Sequence, residues 1–344
     1  PVCDFLNALQ WDGTERIRFC LHRFLGSDTD DYTYEALKLF LLGAISRAFK
    51  PGCKFEVMLC LVGGQGAGKS SFFRLLAVND DWFSDDLKKL DDENVYRKMQ
   101  GHWIIEMSEM IATANAKSIE EIKSFLSRQK ETYKIPYETH PADRKRQCVF
   151  GGSSNTLDFL PLDRTGNRRF VPVMVYPERA EVHILADEQA SREYINQMWA
   201  EAMEIYRSGN FRLRFSPAMN DYLKAHQKDF MPEDTKAGQI LDYLERYSGS
   251  IVCSKQLYKE ALGHDYDEPK QWELREINDI MNNAVTGWMA FSNPRYFPEP
   301  YRRQKGWERI RNDNEPDNSM DGFQEIPTEE MEQLGLPEEW LKQK

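Results

Sequence analysis

The chain of 344 residues has no apolar run long enough to cross a membrane. A membrane-spanning helix needs roughly 18–20 consecutive apolar residues, and Lys38 and Arg47 interrupt the most apolar early stretch, 36–48. This stretch is typical of a buried helix. Nothing in the given sequence resembles a secretory signal either, because Asp4 and Asn7 break the early apolar region. We therefore expect a protein without a membrane span.

Cysteine is scarce and never closely spaced. The six cysteines form no C-x-x-C pair and lie at Cys3, Cys20, Cys53, Cys60, Cys148 and Cys253. A disulfide framework is typical of small secreted chains, and a zinc site needs tightly spaced ligands. The spacing predicts reduced, structural thiols and a cytoplasmic protein.

The net charge of −11 would disfavour a nucleic-acid partner if it were spread evenly. Instead, residues 311–344 contain ten acidic and only three basic residues. This polar, acidic tail is predicted to be flexible. The preceding chain is closer to neutral, so basic clusters within it remain available to phosphate groups.

Apolar periodicity predicts alternating helices and strands along most of the chain. It places helices at 5–25, 34–49, 71–76, 93–99, 118–125 and 187–207, and strands at 55–62, 103–105, 148–150 and 171–175. Strands that alternate with helices form mainly parallel sheets that are covered on both faces. The predicted fold class is therefore α/β.

Composition divides the chain into four predicted regions. These are an N-terminal helical region at 1–52, an α/β core at 53–232, a mainly helical domain at 233–310 and the acidic tail at 311–344. In the third region, short helices at 239–247, 254–262 and 269–284 precede an aromatic, basic segment at 288–309. This order resembles a winged helix-turn-helix.

A glycine loop, Gly63–Ser70, satisfies the pattern G-x-x-x-x-G-K-[ST] between a predicted strand and a predicted helix. Glycines let backbone N–H groups surround a β-phosphate, and the helix adds its positive N-terminal end. Lys69 would reach the β- and γ-phosphates, and Ser70 would coordinate Mg²⁺. We therefore predict ATP and Mg²⁺ as ligands, with the nucleotide held by Gly63, Gly64, Gln65, Gly66, Ala67, Gly68, Lys69, Ser70 and Ser71. The alternative is an ordinary glycine turn.

Two carboxylates, Glu106 and Glu109, follow the apolar strand at 103–105. A P-loop hydrolase needs one acid for the magnesium shell and another group for the attacking water. Glu106 suits the first role and Glu109 the second. In the alternative interpretation, both are solvated acids at a strand end.

Polar and basic residues follow the strand at 148–150. Asn155 is placed to contact the γ-phosphate and the attacking water. In ring ATPases, an arginine from one subunit stabilises the transition state in the next. Our order of preference for this role is Arg169, then Arg168, then Arg164. Surface arginines that pair with nearby acids are the alternative.

Together these motifs resemble the virulence-associated protein E family, which is related to superfamily 3 helicases of viruses, phages and plasmids. The matching motifs cover about residues 1–180 and are 63–70, 103–109, 152–155 and 163–170, the last being the most family-specific. The resemblance implies an AAA+ fold, homo-oligomeric and commonly hexameric rings, and ATP-driven movement on single-stranded DNA. The family often carries a neighbouring primase domain, which suits a chain that begins at Pro1 rather than Met. Many viral members have adjacent acids, whereas Glu106 and Glu109 are separated.

Superfamily 3 helicases project a hairpin into the ring channel, and the corresponding interval here is basic and aromatic. The predicted DNA contacts are Lys130, Lys134, Arg144, Lys145 and Arg146, with Lys134 first, interleaved with Tyr133, Tyr137 and His140. Cations neutralise phosphates and aromatic rings stack on bases. A solvated hairpin is the alternative. In the 233–310 region, Arg302, Arg303 and Lys305 form a basic candidate wing for DNA. Acidic residues on helix 269–284 would repel phosphate, so a role in packing or in binding a partner is an equal alternative.

These features predict an ATP-driven, 3′-to-5′ replicative DNA helicase of a phage or mobile element, with the polarity implied by the family alone. Expected partners are single-stranded or forked DNA, further copies of the chain and a primase or other replication protein. The rival is a non-unwinding AAA+ switch that loads or remodels a protein. A metabolic P-loop kinase is disfavoured because it leaves motif 163–170 without a purpose.

Overall fold

The computed structural model of the protein describes residues 1–87, 90, 95–108, 116–133, 140, 142–162 and 167–310. The chain divides into two compact units, Pro1–Asp234 and Thr235–Lys344. The predicted tail at 311–344 lies outside the described residues. Within the described part, no helix is both long and apolar enough to cross a bilayer.

The first unit begins with three helices. They are α1 (Val2–Ala8), α2 (Ile17–Leu25) and α3 (Asp31–Phe49). The predicted helix at 5–25 is therefore two helices, separated by a non-helical segment that contains Gly13 with a positive φ. The Asp30 side chain caps α3 by accepting the Thr33 N–H at 2.8 Å. Most residues of α3 are buried, as expected for a helix packed inside a core.

The remaining elements of this unit form a sheet, its covering helices and one hairpin. The strands are β1 (Met58–Val62), β2 (Phe83–Ser84), β3 (Ile104–Ser108), β4 (Lys130–Tyr133), β5 (Ala142–Lys145), β6 (Val149–Ser154) and β7 (Phe170–Met174). The helices are α4 (Lys69–Leu76), α5 (Val95–Met99), α6 (Ala116–Ser127), α7 (Glu188–Ser208) and α8 (Pro217–His226). Five strands pair in parallel in the order β2-β3-β6-β1-β7, and β4 pairs with β5 in an antiparallel hairpin.

Helices cover both faces of the sheet, which confirms the predicted α/β class. Alternate residues of β1 point to opposite faces. Leu59 and Leu61 join a core cluster with α1–α4 and α7, whereas Met58, Cys60 and Val62 join another with α5 and α6. All five residues of β1 are buried, as is typical of a strand inside a parallel sheet. The helices of the predicted 1–52 region pack on the first of these faces.

The second unit combines helices with short antiparallel strands. Its elements are α9 (Thr235–Arg246), β8 (Ile251–Val252), α10 (Ser254–Gln256) with a π-helical turn at Leu257–Ala261, α11 (Gln271–Asn283), β9 (Trp288–Ala290), β10 (Arg295–Phe297), β11 (Arg302–Gln304) and β12 (Trp307–Arg309). Strands pair in the order β8-β12-β9, and β10 pairs with β11. Ile240, Leu257, Ile280 and Trp307 contribute to its core. The winged-helix assignment stays a prediction.

We expect Phe40→Ala to lower the free energy of unfolding by about 3–5 kcal/mol, the usual cost of removing a buried phenyl ring. Phe40 is fully buried on α3, with its ring centroid 6.1 Å from that of Phe73. Urea titration measures the loss. The matched control is Phe19→Ala, because Phe19 is 44% exposed on α2. Equal losses in the two variants would contradict the assigned packing.

Candidate functional site

The glycine loop follows β1 at the carboxyl edge of the sheet, and α4 begins directly after it. Gly66 and Gly68 have φ values of +81° and +80°, a conformation that side chains rarely adopt. Among the described residues, no side chain caps the N-terminus of α4. The N–H groups of its first turn therefore remain available for an anion.

The Lys69 side chain is almost fully buried beside this loop. Its ammonium donates hydrogen bonds to the carbonyl oxygens of Gly63 and Gly64, at 2.7 and 2.8 Å. It also donates to Oδ1 of Asn155 at 2.9 Å. Two predicted site residues, 86 positions apart, are thus in direct contact. The oxygens of Gly63, Gly64 and Asn155 are neutral, and phosphate oxygens can replace them with a gain in charge-assisted hydrogen bonding.

Ser70, Glu106 and Ser153 form a second cluster at the same edge. The hydroxyls of Ser70 and Ser153 both donate to Oε1 of Glu106, at 2.8 and 2.5 Å. Glu106 is fully buried, and its Oε2 has no hydrogen-bond partner among the described residues. A buried carboxylate oxygen without a partner is costly. Hydroxyl and carboxylate oxygens suit Mg²⁺, so this donor set fits the predicted ion.

Sheet order brings these side chains together. Glu106 lies on β3 opposite Gly151 of β6, and β6 also pairs with β1 along its length. The carboxyl ends of these strands therefore meet at one edge, the usual location of ligands in open α/β sheets. Ser153 was not predicted as a site residue. Its position in the polar segment after β6, two residues before Asn155, was the available signal.

Arg168 and Arg169 lie at the opposite, amino-terminal edge of the sheet. They immediately precede β7, and the backbone N–H of Met58 donates to the carbonyl oxygen of Arg169 at 2.7 Å. The five residues of β1 separate the two edges. At a rise of about 3.3 Å per residue, the five residues of β1 span about 16 Å from one edge of the sheet to the other. The structure therefore does not bring these arginines to Lys69 and Ser70 of the same chain.

Both arginines contact the half-buried carboxylate of Glu56. A guanidinium nitrogen of Arg168 lies 3.3 Å from Oε1, and Nε of Arg169 lies 3.5 Å from Oε2. The Nε–H of Arg169 also donates to the Ser127 hydroxyl at 2.9 Å. The Arg168 side chain is 66% exposed and that of Arg169 is 20% exposed. Arg168 is therefore the freer of the two.

The predicted basic hairpin is present as β4 and β5. Lys130 pairs with Asp143, and this contact, with a hydrogen bond from Thr132, lowers the pKa of the Asp143 carboxyl. The Arg144 guanidinium lies 4.6 Å from the centre of the Tyr133 ring. Lys145 is exposed. Lys130, Arg144 and Lys145 thus lie at or near the surface of one hairpin.

Arg146 differs from its neighbours, and its predicted contact with DNA requires correction. Its side chain is fully buried, donates to the carbonyl oxygen of Phe125 at 2.6 Å and pairs with the Glu131 carboxylate. Its guanidinium also lies 4.6 and 5.1 Å from the ring centres of Phe125 and Phe150. A side chain enclosed in this way cannot reach a phosphate group. Arg146 instead anchors the hairpin to the core.

Four other predictions concern residues outside the described part of the chain. These are the water-orienting role of Glu109, the DNA contact of Lys134, the third-ranked trans arginine Arg164 and the aromatic contact of Tyr137. They stay predictions.

A family model for the virulence-associated protein E-like domain matches residues 6–232. The chain belongs to this family. The match confirms the family that the motifs indicate, while the link to superfamily 3 helicases stays a prediction. No curated protein matches the chain.

Solved structures of the NrS-1 C terminal region are similar to this chain. The A form apo structure has 14% identity and a TM-score of 0.51, covering 89% of this chain and 78% of that chain. Another apo structure, of residues 305–718, has the same identity and coverage with a TM-score of 0.49. At this identity, the first likeness supports the fold alone.

We expect Arg146→Ala to lower the free energy of unfolding by about 3–5 kcal/mol, since it leaves the buried Glu131 carboxylate without its main partner. Chemical denaturation measures the loss. Lys145→Ala, one position earlier on an exposed side chain, should change stability by no more than about 0.5 kcal/mol. A similarly small effect at Arg146 would contradict its anchoring role.

Proposed function

We propose that this chain is an ATP-driven replicative DNA helicase of a phage or mobile genetic element, moving on single-stranded DNA as a homo-oligomeric ring. The observation that carries the proposal is the pair of clusters at one sheet edge, Lys69 with Asn155 and Ser70 with Glu106. A kinase, a GTPase or a transporter can share the glycine loop. Membership of the virulence-associated protein E-like family favours the AAA+ helicase instead.

In this proposal, the glycine loop and the first turn of α4 bind the β-phosphate through backbone N–H groups. The Lys69 ammonium leaves the carbonyl oxygens of Gly63 and Gly64 and binds β- and γ-phosphate oxygens. The Asn155 amide then orients the γ-phosphate and the attacking water. The hydrogen bond between Lys69 and Asn155 therefore links nucleotide binding to the water-orienting group.

Ser70 and Glu106 would hold Mg²⁺. When bound, this ion neutralises the charge that develops on the transferred phosphoryl group. Ser153 holds Oε1 of Glu106 and fixes the orientation of the carboxylate. Burial of Glu106 keeps bulk water from its oxygens. The proposed role of Glu109 is to orient or deprotonate the attacking water.

The trans arginine comes from the amino-terminal edge of a neighbouring subunit. Placing Arg168 and Arg169 far from their own glycine loop agrees with this role. The greater exposure of Arg168 favours it over Arg169, which reverses the order inferred from sequence. An arginine finger raises the rate of hydrolysis about 10³–10⁵-fold. A lone subunit should therefore hydrolyse ATP poorly.

We expect the wild-type protein to displace a strand from a forked DNA substrate when ATP and Mg²⁺ are present. Lys69→Ala should lower hydrolysis about 10²-fold or more and abolish displacement, because the phosphates lose a buried cation. The matched control is Lys224→Ala, which removes an exposed lysine that is 3.8 Å from Asp221 on α8. Robust hydrolysis without unwinding of any forked substrate would contradict the helicase assignment.

The hairpin distinguishes the helicase from a non-unwinding AAA+ switch. We expect Lys145→Glu to weaken single-stranded DNA binding, since one phosphate-neutralising cation is reversed. The magnitude of the slope of log affinity against log salt concentration should fall by about one. DNA-stimulated hydrolysis should fall with it. Fluorescence anisotropy at several salt concentrations measures the change, with Lys224→Glu as control. Unchanged DNA stimulation in the hairpin variant would favour the switch.

A further inference from the structure

A basic cleft lies at the amino-terminal edge of the sheet, away from the glycine loop. It has a volume of about 820 Å³ and is formed by the segment before β1, Arg168 and the segment before α8. The basic cleft is defined by Lys54, Arg168, Arg212 and Arg214, with Glu56 as its acidic residue. No motif in the sequence singles out Lys54, Arg212 or Arg214.

The positive charge of the basic cleft is poorly balanced. Lys54, Arg212 and Arg214 are exposed, and none of them makes a hydrogen bond or ion pair with a described residue. Glu56 is already engaged by Arg168 and Arg169. Cations that share a concave surface repel one another and raise the local concentration of anions. The cleft is therefore suited to a ligand with several negative charges.

We infer that the basic cleft binds the triphosphate of a nucleotide held by the glycine loop of a second copy of this chain. The inference rests on the proposed function and adds Lys54, Arg212 and Arg214 to the residues supplied in trans. The cleft cannot serve its own loop, because the length of β1 lies between them. A ring built from head-to-tail contacts presents one edge of each subunit to the opposite edge of the next.

The walls of the basic cleft favour a triphosphate over single-stranded DNA. Proteins that bind single strands without sequence preference stack bases on exposed aromatic rings. The aromatic residues of the cleft are Phe55 and Phe215, which are only 5% and 7% exposed. They offer no face for a base. The hairpin, with Tyr133 beside Arg144, has the composition that the cleft lacks.

The test combines subunit mixing with self-association. The double variant Arg212→Ala/Arg214→Ala keeps its glycine loop, whereas Lys69→Ala keeps its basic cleft. We expect the double variant alone to hydrolyse ATP at least about tenfold more slowly than wild type, a smaller loss than an arginine finger causes. Mixing the two variants should restore hydrolysis, because some interfaces then combine an intact loop with an intact cleft.

Sedimentation velocity with a non-hydrolysable ATP analogue provides a readout that does not need hydrolysis. The analogue should promote association of wild type but not of the double variant. Arg212→Lys/Arg214→Lys, which keeps both charges, should retain most of the association. Arg207→Ala removes an exposed arginine that pairs with Glu204 at 3.0 Å and should behave as wild type. Equal thermal stability of all variants would exclude misfolding.

Three results would overturn the inference. They are a mixture no more active than the sum of its components, analogue-promoted association that survives in the double variant, and a double variant that loses DNA affinity while hydrolysing normally without DNA. The third would assign the cleft to nucleic acid. A wild type that associates with the analogue but never hydrolyses ATP would overturn the proposed function and leave the cleft supported. Absence of analogue-promoted association in wild type would overturn the cleft inference whether or not ATP is hydrolysed.

Discussion

The parallel pairing of β1, β3 and β6 is the constraint on which the candidate site depends. The glycine loop ends β1, Glu106 lies near the end of β3, and Asn155 follows β6. Because these strands run in the same direction, their carboxyl ends meet at one edge. The contacts of Lys69 with Asn155 and of Ser70 with Glu106 follow from this pairing. Burial on both faces of the sheet holds the strands in register.

The same sheet separates the cationic groups that the proposed function assigns to the nucleotide into two locations. Lys69 lies at the carboxyl edge, whereas Arg168, Arg169 and the basic cleft lie at the amino edge. About 16 Å of strand keeps them apart within one chain. A nucleotide site that needs both sets must therefore be shared between copies. In the proposed ring, this separation gives subunit contact a chemical purpose, because each copy completes the site of another.

Much of the fold could be predicted from periodicity and glycine placement, and the misses have identifiable physical causes. Strand β2 contains only Phe83 and Ser84, too few residues to show alternation. Helix α8 was overlooked although Ser216 and Pro217 form a recognisable helix start, with the Ser216 hydroxyl accepting the Met219 N–H at 3.2 Å. The first helical run was predicted as continuous, although the polar segment 12–16, which contains Gly13, marks the break between α1 and α2.

The sequence by itself determined the glycine loop between a strand and a helix, the α/β class and the family, because each depends on residues close together in the chain. Only the tertiary structure decided which side chains meet. It paired Ser153 with Glu106, buried Arg146 and gathered Lys54, Arg212 and Arg214 into one cleft. These outcomes depend on the strand order β2-β3-β6-β1-β7 and on the packing around it. Local periodicity shows which face of a strand is buried, but not which strand lies beside it.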